Sequence, residues 1–200
     1  MRWTVCSVFL LAIGLAVPSP AFASSVEEFD VIGMRLGMSV AEIEKAAADH
    51  ALTEDHRQTA PSFEQRVAKS RGERIRSKDY TAVRGLRFVS AIDEVIVRFV
   101  ATANGERAFR ISHMLLDTTV KTDDLVAQME AAYGEPDAKH GDDWLWGDTH
   151  RDAVRRSAPF LGFSIRPQIR SKSMRKPVGL ITLENPELPK ETRAAIKAEL

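Results

Sequence analysis

The chain has 200 residues with 28 basic and 28 acidic side chains, so its formal net charge is zero and no global field draws it toward nucleic acid. Hydrophobic residues make up 44% of it, enough for a real core, and its only cysteine, Cys6, excludes an internal disulfide.

The first predicted element is an address. Arg2 precedes an apolar run over residues 8–17, which Pro18 and Pro20 break before the small-x-small site Ala21-Phe22-Ala23. That order predicts a cleaved secretory signal over residues 1–23, with an apolar run too short to span a bilayer. Cys6 leaves with it, and it precedes the apolar run, whereas the acylated cysteine of a lipoprotein follows it. The expected mature chain, 24–200, therefore carries no thiol nucleophile and no cysteine-bound metal. Its most apolar later run, 95–101, is interrupted by Arg98, so no transmembrane segment is expected. The periplasm is the expected compartment, with release into the medium as the other outcome.

Residues 29–32 suit a short strand before Gly33 and Gly37. Ser39 and Glu42 then form the reciprocal pair of a capping box, predicting a helix from Val40 to about His50. Residues 53–80 are polar, without clear periodicity, and read as a long loop or ragged hairpin. Two alternating runs, 94–102 and 109–115, flank Asn104-Gly105, which is the signature of a β-hairpin. Thr122 caps a second predicted helix, with Asp123 and Asp124 in its first turn, Leu125, Met129 and Tyr133 along one face, and Gly134 as its stop. Strands are expected at 144–146, 160–165 and 178–183, and a terminal helix at 190–200. The expected class is α+β, with helices packed on one face of antiparallel sheets. The two helix starts raise a diverged duplication, with halves 29–116 and 117–185.

The run 125–146, a helix ending in Ala132-Tyr133-Gly134-Glu135-Pro136 and then Trp144-Leu145-Trp146, resembles a recurring envelope module. It is similar to the small outer-membrane assembly lipoproteins of the BamE type and to the repeats of beta-lactamase inhibitor proteins. The stretch from Ile32 to Ser39 is similar to the approach to the first helix in periplasmic proteins of that layout. The resemblance covers a minor part of the chain and implies a two-layer module that binds proteins without a catalytic centre. The absence of a cysteine just after the signal departs from the lipoprotein pattern.

Two basic stretches are the leading functional candidates. Residues 66–87 contain Arg66, Lys69, Arg71, Arg74, Arg76, Lys78, Arg84 and Arg87 against Glu73 and Asp79. Residues 155–176 contain Arg155, Arg156, Arg166, Arg170, Lys172, Arg175 and Lys176 and no acid. Brought together, they make a positive surface for a protein or an anionic envelope component; as solvated loops they do nothing. Without interleaved aromatics they do not suit single-stranded nucleic acid. Trp144 and Trp146 share one strand face and are expected to be core at one position and a partly exposed binding anchor at the other. His140, Asp142, Asp143, His150 and Asp152 offer the nitrogen and oxygen donors of a divalent metal, or else solvated loops around a buried strand.

No nucleophile elbow, phosphate loop or metalloprotease motif is present, and His113, between Ile111 and Leu115, reads as a hydrogen-bonded core residue. The expected function is a non-catalytic, cofactor-free binding or envelope-maintenance protein acting through basic loops. A metal-dependent hydrolase or metal carrier and an inhibitor of a secreted enzyme are the alternatives.

Overall fold

The computed structural model describes residues 26–116, 121–150, 156–165 and 178–200. The expected signal and the basic residues Arg170, Lys172, Arg175 and Lys176 lie outside the described residues, as does Asp152. The elements in order are α1 (Val40–Asp49), β1 (Thr53–Ala60), α2 (Phe63–Ser70), β2 (Ala82–Val89), β3 (Asp93–Thr102), β4 (Gly105–Leu115) and α3 (Thr122–Tyr133). They continue with β5 (Ala138–His140), β6 (Asp143–Gly147), β7 (Phe160–Ile165), β8 (Gly179–Glu184) and α4 (Glu187–Ala198).

The class is α+β, and the strands join one antiparallel sheet in the order β1-β2-β3-β4-β8-β7-β6-β5. That order is mirrored about the seam between β4 and β8: on each side a helix precedes four strands, with α2 inserted after β1 on the first side. Register across the seam sets side chains in rows. One row runs Leu86, Val97, Ile111, Leu183, Leu161, Trp146, and the next runs Phe88, Val95, His113, Ile181, Phe163, Trp144. Period-two alternation puts both rows on the same face, where Ile43, Ala46 and Ala47 of α1 and Leu125 and Met129 of α3 join them in one core. Phe63 and Val67 of α2 form a separate small cluster with Ile196 of α4.

Local chemistry explains the helix ends. Ser39 and Glu42 make the reciprocal capping box, with the Ser39 amide donating to the Glu42 carboxylate at 2.7 Å. Gly134, at φ 81°, stops α3. Asn185 accepts from the amides of Glu187 and Leu188, so α4 starts at Glu187, before the expected Lys190.

Two further expectations need correction. Residues 53–80 are ordered as β1, α2 and a short 3-10 turn at Ser77–Asp79, because β1 is an edge strand of almost wholly exposed polar residues and shows no hydrophobic alternation. A Ser62/Gln65 capping box starts α2, too short for its Phe63 and Val67 to make a visible period. Residues 29–32 form only an isolated bridge, Val31 with Met34. The segment containing it, from Val26 to Met38, straps across the molecule: Val26 packs at Gly147, Tyr133 donates its hydroxyl to the Asp30 carbonyl at 2.6 Å, and the Gly37 amide donates to the Ala108 carbonyl at 2.8 Å. Gly147 has φ 83° and a Cβ there would lie 2.6 Å from both the Pro159 carbonyl oxygen and Val26, so it can only be glycine.

Trp146 joins these parts, donating its indole N–H to the Gly134 carbonyl at 3.0 Å and meeting Tyr133 edge-on. Replacing Trp146→Ala is expected to cost about 3–5 kcal/mol and Trp146→Phe about 1 kcal/mol. Urea unfolding of the two variants measures both.

Candidate functional site

Trp144 and Trp146 are 6% and 3% exposed, so neither is a binding anchor. Both lie in the apolar rows. Trp144 packs on Phe163, and the Lys139 ammonium covers its ring at 4.7 Å, which accounts for the side of the indole that the strand leaves outward.

The histidine and carboxylate cluster is dispersed. His140 and Asp143 pair across the β5–β6 hairpin, and Asp143 accepts a hydrogen bond from the Ser164 hydroxyl. Asp148 instead caps backbone amides of His150, Ser157 and Ala158; burial pushes its carboxyl up, but these bonds together hold it below the usual range. Among the described residues no three histidine, cysteine, aspartate or glutamate side chains converge as a metal site.

Arg71, Arg74, Arg76 and Lys78 are exposed on the connection from α2 to β2. Two are engaged: Arg71 donates to the Glu199 carbonyl at the far end of the chain at 2.6 Å, and Arg76 pairs with Asp79 at 3.2 Å. Arg87, from the same stretch, is paired with Asp55 and lies 3.7 Å from Glu94.

The remaining cations of that stretch, Arg66, Lys69 and Arg84, line one groove of about 500 Å³. The last turns of α2 supply Arg66 and Lys69, β2 supplies Arg84, and the floor is Ala82, Val100 and Ala101. No carboxylate lines this groove among the described residues. Burial, then the charge of Arg193, pulls the pKa of Arg66 down. Burial does the same to Arg98, helped by Arg84 and Arg110. Arg98 stands directly opposite Arg110 across β3 and β4, a like-charge pairing that disfavours the sheet locally. The Arg98 guanidinium donates to the Gln58 side-chain oxygen at 2.6 Å. The basic stretch is visible in the sequence, but the grouping of Arg66, Lys69 and Arg84 is not. The groove needs β1, β2 and β3 side by side before its cations become neighbours.

The chain matches no family model, and the comparisons with curated proteins and with solved structures yield no significant match.

His113 is buried, and its Nε2 lies 2.6 Å from the Asp93 carboxylate. That bond to His113, chiefly, holds the Asp93 carboxyl below its ordinary value of 3.8. The native state therefore binds this proton less tightly than the unfolded chain does. Its stabilisation is present above the unfolded value near 3.8 and is lost as pH falls through the depressed native value. Replacing Asp93→Asn should cost about 1.5–3 kcal/mol at pH 7 and flatten the acid limb of stability. Urea midpoints measured from pH 7 down to about pH 2 read both effects.

Proposed function

We propose that this chain is an exported, non-catalytic binding protein whose groove of Arg66, Lys69 and Arg84 takes an acidic, partly apolar polypeptide segment. The observation that carries this reading is the groove itself: three cations over an apolar floor, with no acid among the lining residues of a protein whose net charge is zero. Like charges held together cost stability, and an anionic partner offsets that cost on binding. The apolar floor favours a polypeptide with hydrophobic side chains between its carboxylates over a simple ion. The leading segment adds the compartment, the bacterial periplasm, where faces of envelope proteins are the partner class. The mirrored sheet order supports descent from a duplicated unit. An inhibitor of a secreted enzyme would use the same groove and differ only in its partner.

The test uses a fluorescent peptide of alternating glutamate and leucine, followed by anisotropy. Binding should weaken steeply as salt rises past about 0.1 M, where the screening length is about 10 Å. The double variant Lys69→Glu, Arg84→Glu, with both changes at exposed positions, should bind at least about tenfold more weakly, with an unchanged circular dichroism spectrum. Equal binding by that variant rejects the groove. Binding to anionic lipid vesicles with none to the peptide rejects the polypeptide partner.

A further inference from the structure

The second face of the sheet carries another cleft, built by β4, β6, β7 and β8. Alternation along β7 turns Phe160, Gly162 and Ser164 away from the core face that Leu161, Phe163 and Ile165 occupy. Register then sets Leu145 and Thr182 on either side of Gly162, Asp143 beside Ser164, and Glu184 between Phe160 and Arg110. The resulting cleft holds about 240 Å³. Arg156 closes one side with its guanidinium 3.8 Å from the centre of the Phe160 ring. Arg110 lies 3.6 Å from Glu184.

Gly162 is the informative residue. Its φ is outside the left-handed region, so the backbone does not require glycine there. A Cβ at this position would meet Leu145 at 3.5 Å and Phe160 at 3.6 Å, which is ordinary contact. Gly85 and Gly179, also inside strands, differ: a Cβ would press on Val97 at 3.2 Å and on Phe163 at 3.1 Å. Glycine inside a strand is entropically costly, and where the fold does not need it, it marks a place that something else approaches closely. The missing side chain leaves open the floor of the cleft.

The charge pattern says what approaches. Among the described residues the cleft presents two guanidiniums, Arg110 and Arg156, and two carboxylates, Asp143 and Glu184, with the His140 ring beside them. A simple anion or cation would meet one attractive pair and one repulsive pair. A molecule carrying both signs a few ångströms apart satisfies both. The volume lies below the roughly 300–1,000 Å³ of sites for drug-sized ligands and suits a molecule of amino-acid size. We infer that this cleft binds a small zwitterion, an α-amino acid or dipeptide, with its carboxylate toward Arg156 and Arg110 and its ammonium toward Glu184 and Asp143. Burial pulls the pKa of Arg156 down against the raising effect of Asp148, Glu184 and Asp143, and a further anionic group beside it would add to theirs.

The site is independent of the cationic groove, and the experiment keeps the two apart. The free proteinogenic amino acids and the glycyl dipeptides are screened against the full chain by ligand-observed NMR, and a responding compound is titrated by calorimetry. At least one should bind more tightly than about 1 mM, and its amide and its N-acetyl derivative should each bind at least about tenfold more weakly. Gly162→Leu, which fills the floor, should abolish that binding and leave capture of the acidic peptide intact. Should Gly162→Leu not fold, Gly162→Ala and Arg156→Gln carry the test, each weakening the zwitterion about tenfold or more. No binding by any probe at about 10 mM, or equal binding by the substituted proteins, overturns the assignment. Loss of peptide capture in the Lys69→Glu, Arg84→Glu variant with zwitterion binding retained separates the two sites.

Discussion

The apolar rows that cross the sheet without a break at its centre hold the structure together. Ile111 opposite Leu183, and His113 opposite Ile181, make the seam between β4 and β8 as continuous as any pairing inside either half. A slip of one residue at that seam would turn one half of the rows outward and expose their apolar surface to water. The seam therefore fixes register for everything on both sides, and α1 and α3 share one core because the rows beneath them do. His113 is the polar interruption of its row, tolerable because Asp93, two positions from Val95 on the same face of β3, supplies the carboxylate it needs.

The same parity dictates the chemistry of the second face. Once Val97, Ile111, Leu183 and Leu161 point inward, Arg98, Arg110, Glu184 and Phe160 must point the other way. The charged groups there are thus a consequence of register, and their order is set by strand order, not by sequence order. Arg110 and Arg156 become neighbours of one cleft because β8 and β7 stand between β4 and β6. The strap from Val26 to Met38 adds a bond to each half, reaching Tyr133 of α3 and Ala108 of β4.

Much of this was legible from residues alone, for stated physical reasons. The alternation over 94–102 and 109–115 needs only period two and a glycine turn, and the hairpin formed there, with Gly105 alone at positive φ, 88°. The Ser39 capping box and the Gly134 stop are local chemistry and appear as read. The edge strand β1 was not legible, since Thr53 to Ala60 has no buried face to impose a period. Trp144 and Trp146 share a face as alternation requires, but only packing by α3 and Phe163 decides that both are covered. The groove and the cleft were invisible because each gathers side chains from strands that pairing alone makes adjacent. Nothing in the sequence around Gly162 sets it apart; only Leu145 and Phe160, at ordinary contact from where a Cβ would stand, show that a side chain would fit.

The outermost strands have a further consequence. A mirrored meander leaves its first strand from each side, β1 and β5, at the rims of the sheet. Both are poor templates for a neighbouring molecule. The first carries Glu54, Asp55, His56 and Arg57 in sequence, with register irregularities at Glu54/His56 and Gln58/Thr59, and the second has 3 residues. Charge, kinks and brevity are the devices that stop sheets from adding to one another end to end. With one face buried under α1 and α3 and both rims guarded in this way, the opposite face is the part of the sheet left to meet other molecules.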